Sequence, residues 1–297
     1  MSHHIAKNYK TFLKNGKSII INRAIGSKFY DLNNNSYIDA TSSYCGANLG
    51  HNHPYFKNHI IEQLNNISIC PRYVENNQLN RLGITVNKYF NSLIKMNNND
   101  TLKILPSCNG VDTIETAIKL SRAWAYEKKG IPLGNSIQLF FNGNFHGRTV
   151  SAISVSNSSY QAKFYPKNPN LISIPYNDKE CLKQILESEI GDKISAIILE
   201  PIQCEGGINI PHFDFLIEIR KLCNKHNILL VCDEIQTGLF RTGKLLCSEK
   251  YNCKPDIVLL GKSLGAGYLP ISLTITSNEI MNCIKSDLKT IKNNIKD

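Results

Sequence analysis

In the stretch DIVLLGKSLGAGYLP, Asp256 to Pro270, an apolar run ends in Gly261 and Lys262. A lysine directly after a buried strand either carries its ammonium back out to solvent or does chemistry. A free lysine, with a pKa of about 10.4, is a poor nucleophile at neutral pH. Desolvation or a neighbouring cation lowers that value and frees the amine to form a Schiff base. Asp233 raises a similar question, because it follows the apolar run ILLVC. A buried carboxylate needs a cation or hydrogen-bond donors. A structural ion pair meets that need, and so does a protonated heterocycle nitrogen. Asn109-Gly110-Val111 joins an apolar run to a helical pattern. Free N–H groups and the helix dipole make such a junction an anion site. Ordinary capping, with Asp112 as a helix-start acid, is the plainer reading of the same residues.

Other chemistries fail on spacing. Gly261-Lys262-Ser263 resembles the end of a phosphate-binding loop, but that pattern needs a glycine where this chain has Asp256. Gly265, Gly267 and Pro270 would also break the helix that must follow. The glycines of GKSLGAG sit at the wrong offsets for a dinucleotide fingerprint. His51 and His53 are spaced like metal ligands, but no further ligand completes the set, so GHNHP reads as a loop.

These residues need elements to hold them. Short strands with tight turns are expected at Ser18 to Asn22, Ser27 to Leu32 and Tyr37 to Ala40. Helical periodicity covers Tyr55 to Asn65, Gln78 to Ile94 and Val111 to Lys128. Apolar strands are expected at Lys103 to Leu105, Ser136 to Phe141, Leu171 to Ile174, Ser195 to Leu199, Ile228 to Cys232, Asp256 to Leu260 and Ile271 to Ile275. Helices fill Asp178 to Ser188 and Phe213 to His226. Strands alternating with helices indicate an α/β domain with a mainly parallel sheet flanked by helices. Ligands of such sheets bind beyond the carboxyl ends of the strands. Five strand ends carry polar sequence there: PSCNGVDTIETAIKL, NGNFHGRT, EPIQCEGG, DEIQTGLFRTG and Lys262 itself.

With 297 residues, 42% hydrophobic and 20% charged, the composition is that of a globular chain with a substantial core. No run approaches the roughly 18 apolar residues of a membrane span. The net charge of +10 comes from lysines scattered among asparagines and isoleucines. They read as solvated side chains or as an attraction for small anions. No basic stripe or module for nucleic acid is present. The ten cysteines form no CxxC pair, and several lie within apolar runs, as expected of reduced thiols. The start, MSHHIAKNYK, lacks the apolar core of a secretory signal. The cytoplasm or the mitochondrial matrix fits these features.

Taken together, SSYCGANLGHNHP, FNGNFHGRTVSAIS, IPYNDK, EPIQCEGG, LLVCDEIQTGLFRTG and KPDIVLLGKSLGAGYLPIS resemble the class III aminotransferases, pyridoxal-phosphate (PLP) enzymes of fold type I. The motifs are most similar to those of the ornithine-acting members, in order and spacing, over residues 17 to 285. The resemblance implies three parts: an N-terminal segment with short strands over 1–50, a PLP-binding large domain over 51–285 and a divergent tail over 286–297. Family members continue into a small C-terminal domain with no counterpart here, so the chain reads as C-terminally truncated.

The resemblance also assigns roles. Lys262 would bond to PLP and move the substrate proton, and Asp233 would pair with the pyridine nitrogen. Gln236 would contact the ring hydroxyl. Ile235 would pack on one ring face and Phe145 on the other. The N–H groups of Gly110 and Val111 would hold the phosphate. Arg148 would bind a substrate carboxylate, Tyr44 and Glu205 would line the substrate end, and Glu200 would support the ring. The implied reaction moves the terminal amine of ornithine to 2-oxoglutarate, giving glutamate semialdehyde and glutamate. An acetylornithine or 4-aminobutyrate-type transaminase is the alternative, as is an inactive remnant that binds PLP or a partner chain. A homodimer is implied, with no metal, nucleic acid or membrane partner. Four positions depart from the usual pattern: Asn109 replaces Ser or Thr, Asp112 replaces Glu, Cys204 replaces a small residue, and Glu75 replaces an aromatic.

Overall fold

The computed structural model describes residues 13–14, 17–71, 73–156 and 167–284. The tail over 286–297, read from sequence as divergent, lies outside the described residues. Contacts divide the chain into two compact units. One comprises the residues up to Pro71 with Gly265–Leu269, and the other comprises Arg72–Leu264 with the residues from Pro270 onward.

The first unit opens with a two-stranded hairpin, β1 (Leu13–Lys14) and β2 (Lys17–Ser18). An antiparallel sheet follows, made of β3 (Ile21–Ile25), β4 (Lys28–Asp31) and β5 (Ser36–Ile38). The sequence suggests a strand at Ser18 to Asn22. In the structure the Gly26-Ser27 turn pairs Ile25 with Lys28, and that register moves the strand onto Ile21–Ile25. Next comes a single turn, α1 (Ser42–Cys45), followed by the helix α2 (Pro54–Asn66). The His51 Nε2 lies 2.7 Å from Asp39 Oδ2, so this histidine is engaged by a carboxylate. Asp39 Oδ1 also accepts from the N–H groups of Thr41 and Ser42.

The second unit is built on a seven-stranded sheet. Its strands are β6 (Leu102–Ser107), β7 (Ile137–Phe141), β8 (Leu171–Ile174), β9 (Ile194–Leu199), β10 (Leu229–Asp233), β11 (Ile257–Leu260) and β12 (Ser272–Ser277). They lie in the order β6-β12-β11-β10-β9-β7-β8. β12 runs antiparallel to both neighbours, and every other pairing is parallel. The six remaining strands therefore point their carboxyl ends to one edge. The sheet is mainly parallel, as the alternation of strands and helices predicts.

Every residue of β7, β9, β10 and β11 is buried. That explains their mostly apolar sequences, because helices cover both faces of a parallel sheet. On one face α4 (Gly110–Trp124) places Ile114, Ala117 and Leu120 against Phe140, Ile198, Val231 and Leu259. On the other, α6 (Lys179–Leu186) and α7 (Phe215–Lys225) place Leu182, Leu216 and Ile219 against Leu139, Ile197, Leu199 and Leu230. Alternate strand residues thus feed opposite layers. Near β11 and β12, α3 (Asn77–Phe90) contributes Val86 and Phe90 to a third cluster with Val258, Leu260 and Leu273. The helix expected at Val111 to Lys128 ends its α-helical part at Trp124 and continues as one π turn, Ala125–Lys129. Two short helices complete the unit, α5 (Val150–Val155) and α8 (Asn278–Met281). No described helix is long and apolar enough to cross a membrane.

Asp256 leads into β11 and ties it to its surroundings. Its Oδ2 accepts from Arg220 Nη1 at 2.6 Å and from the Leu230 N–H at 2.7 Å. Both charged side chains are about nine-tenths buried. Removing one partner of a buried pair strands the other. Asp256→Ala is expected to cost about 3–5 kcal/mol, seen as a lower urea midpoint. An unchanged midpoint would show that Arg220 finds another acceptor.

Candidate active site

Four neighbouring strands deliver the chemistry. In spatial order, β11 leads to Lys262, β10 ends in Asp233, β9 leads to Glu200, and β7 leads to Phe145 and His146. These residues, with Gly110 and Val111 at the start of α4, line one cavity of about 210 Å³. Ile202, Ile235, Gln236 and Thr237 complete much of its wall.

Asp233 is buried at the end of β10. Its Oδ2 lies 2.7 Å from His146 Nδ1, and its Oδ1 accepts from the Ile235 N–H at 3.1 Å. The His146 side chain is fully buried. Burial lowers the imidazole pKa, but the bond to Asp233 and the charges of Asp233 and Glu200 outweigh it, and the net shift is upward. Glu200 accepts from the Phe145 N–H at 3.0 Å. Burial is the main cause lifting its pKa from 4.5 to about 7. The positive charge of His146 opposes that rise, and the carboxylate of Asp233 adds to it. Three titratable groups from three adjacent strands are therefore bound into one network.

Lys262 lines the cavity, and its Nζ donates to Gln236 Oε1. Its backbone adopts φ 41°, in the left-handed region that non-glycine residues seldom occupy. Residues in such conformations are held there by surrounding structure and cluster at functional sites.

The start of α4 is shaped for an anion. The first N–H groups of a helix have no intrahelical partner, and here the first two belong to Gly110 and Val111, while the Asp112 N–H donates to the Asn109 carbonyl at 3.0 Å. The Asp112 carboxylate accepts from the Asn109 N–H at 2.9 Å, so capping and an open N-terminus coexist. A Cβ at Gly110 would lie 3.0 Å from Ile235 Cδ1, which closes the space beside these amides. Gly147 has φ +118°, and a Cβ there would lie 2.5 Å from Val111 Cγ2. A glycine at 147 is what lets the segment after β7 cross the first turn of α4.

Not every expected residue joins the cavity wall. Arg148 is exposed beside it, its guanidinium carbon 5.7 Å from the centre of the Phe145 ring. Glu205 is exposed on the loop after β9. Tyr44 belongs to the other unit, where it is 76% exposed in a turn whose residues have positive φ. His146 and Thr237 line the cavity but are not among the residues expected from sequence. The signal for His146 was its place in NFHGRT, a titratable side chain in a segment that must pass a strand end. Among the described residues, no group of three or more His, Cys, Asp or Glu could hold a metal.

The residues present fit pyridoxal phosphate, the group the sequence resemblance implies. Ile235 and Phe145 offer apolar surfaces for a ring, and Asp233 offers a buried carboxylate for a ring nitrogen. Lys262 supplies an amine, and Gly110 and Val111 at the start of α4 line the same cavity.

Known proteins resemble this chain in sequence and fold. An ornithine aminotransferase of Saccharomyces cerevisiae is 41% identical over 275 residues, covering 89% of this chain and 63% of the relative. A crystal structure of the ornithine aminotransferase from Toxoplasma gondii superposes with a TM-score of 0.84 at 32% identity, covering 96% of this chain and 63% of that one. The acetylornithine aminotransferase of Elizabethkingia anophelis gives a TM-score of 0.80 at 35% identity, with coverages of 95% and 65%. The chain spans between 58% and 66% of the lengths of the first curated relatives it matches. The family description Aminotransferase class-III matches residues 11–290, a span that includes every strand end around the cavity, and the chain belongs to that family.

Proposed function

We propose that this chain is a PLP-dependent aminotransferase that moves the terminal amine of ornithine to 2-oxoglutarate, yielding glutamate semialdehyde and glutamate. The observation that carries this reading is the meeting of Lys262, Asp233, Glu200 and the Phe145-His146 pair around one cavity, from four adjacent strands. Curated relatives named ornithine aminotransferase, 38–41% identical, support the donor. The acetylornithine enzyme of Elizabethkingia anophelis, at 35% identity, supports acetylornithine as a second reading.

In this reading the amides of Gly110 and Val111 hold the phosphate, and Ile235 and Phe145 sandwich the ring. Gln236 would contact the ring hydroxyl, and Lys262 would hold the cofactor through its amine. When bound, PLP supplies an electron-withdrawing ring that spreads the negative charge left when a substrate carbon loses its proton. Asp233 would hold a proton at the ring nitrogen, and His146 Nδ1 lies 2.7 Å from the Asp233 carboxylate. With its amine free, Lys262 Nζ would take the proton from the substrate carbon bearing the amine. Arg148 receives a substrate carboxylate in bidentate fashion, and Glu205 lines the substrate end. None of the ten cysteines forms a disulfide, which fits a reducing compartment, the cytoplasm or the mitochondrial matrix. A homodimer is the proposed assembly. No residue of α2 is buried, and Tyr55, Ile61 and Leu64 on it are exposed, as expected of a surface that another subunit covers.

The purified chain mixed with PLP should develop a visible absorbance band that Lys262→Ala abolishes. Turnover should fall by about 10²–10⁴-fold in that variant. A wild type without the band would remove the cofactor from the proposal. Bleaching by acetylornithine and not by ornithine would transfer the reaction to the second reading.

Glu200 adds a pH dependence. Its folded pKa lies above its ordinary value, so its stabilising effect is complete below about 4.5 and disappears as pH rises through about 7. His146 is shifted in the same sense. Compared with Glu200→Gln, the wild type should lose on the order of 3 kcal/mol between those limits. Urea unfolding of both proteins at pH 4.5 and 7.5 measures this, and a gap that stays constant with pH would refute it.

A further inference from the structure

Thr149 stands at the junction between the segment after β7 and α5. Its Oγ1 accepts from the Ala152 N–H at 3.4 Å, capping the helix. The same hydroxyl donates its proton to Glu115 Oε1, which is carried by α4. Two residues earlier, Gly147 lies directly against Val111, also on α4. Arg148 therefore sits between two points at which its own backbone is held by a single helix. That helix is the one whose first turn presents Gly110 and Val111 to the cavity.

The Val111 contact is steric and the Glu115 contact is a hydrogen bond to a carboxylate, which is stronger than its neutral counterpart. An arginine side chain has about 2 kcal/mol of rotamer entropy. Its grip on a carboxylate depends on where the backbone points it. A displacement of about 1 Å can cost about 10²-fold in rate. The Phe145 ring limits the guanidinium on one side. The bond from Thr149 to Glu115 limits the backbone on the other.

We propose that Glu115, acting through Thr149, is a positioning residue that aims Arg148 at the carboxylate of an amino-acid or 2-oxo-acid substrate. Glu115 touches neither substrate nor cofactor. It sets the anion-binding end of α4 and the carboxylate grip of Arg148 in one fixed relation, so that both ends of a substrate–cofactor pair meet a single rigid element. This inference rests on the aminotransferase reading of the cavity.

The test uses the full chain with Glu115→Ala and Thr149→Val, which remove the bond, and Glu115→Gln and Thr149→Ser, which retain an acceptor and a hydroxyl. Hydrogen exchange of the amides over 146–152, followed by mass spectrometry without cofactor, should quicken roughly tenfold in the first pair and stay near wild type in the second. Calorimetry of the PLP-loaded proteins with glutarate, a dicarboxylate that cannot react, should show about tenfold weaker binding in the first pair only. PLP retention should be equal in all five proteins. Faster exchange with unchanged glutarate affinity would reduce Glu115 to a helix cap and overturn the proposal. Unchanged exchange would overturn it as well. A wild type that binds no glutarate would instead count against the aminotransferase reading, and the positioning role would fall with it. That outcome is distinct, because the exchange data would still show whether Glu115 holds the segment.

Discussion

Six strands running in one direction, four of them buried at every residue, impose the condition on which the rest depends. A strand with helices above and below has no solvent along its length, so its charged residues stand at its ends and a polar residue inside it, such as Gln138, needs a hydrogen-bond partner. Because β11, β10, β9 and β7 are adjacent and parallel, their carboxyl ends form a row. Lys262, Asp233, Glu200 and His146 occupy that row. The backbone positions are set by ladder hydrogen bonds and core packing, so the site is mounted on the stiffest part of the molecule. Loop residues near it, such as Arg148 and Glu205, need additional supports.

The electrostatics follow from that placement. Three titratable side chains close together in a poorly solvated pocket cannot all be charged at low cost. His146 and Asp233 resolve the conflict by sharing a short hydrogen bond, and Glu200 resolves it by holding its proton to higher pH. This arrangement stabilises the fold less than apolar packing of the same volume would. Such a cost at a strand-end row is expected where function requires a buried carboxylate. The His146–Asp233 contact also explains why the segment after β7 passes so close to α4. The histidine reaches Asp233 only if the chain crosses over Val111, and Gly147 allows that crossing.

Much of the fold could be read from residue patterns. Buried parallel strands are necessarily apolar runs, and amphipathic helices necessarily repeat near 3.6 residues, so β7 through β11 and α2, α3, α4, α6 and α7 were visible within a few residues. Other features were not. The direction of β12 was hidden, because a strand buried on both faces carries no periodic mark of its polarity. α5 was missed because its six residues are too few to display a helical period. The strand at Ser18 to Asn22 was displaced, because pairing across the Gly26-Ser27 turn sets the register and composition alone does not.

By itself the amino-acid sequence determined the layer architecture, the edge on which a site must lie, and the residue types gathered there. Those properties are local: burial, periodicity and turn chemistry act over a few residues. Tertiary structure decided which strand ends are neighbours, that His146 backs Asp233 from 87 residues away, that Glu200 is the proton-retaining member of the cluster, and that Glu115 reaches Thr149 across 34 residues. Each of these depends on strand order and on distances between segments remote in the chain, and neither quantity is written in any short stretch of residues.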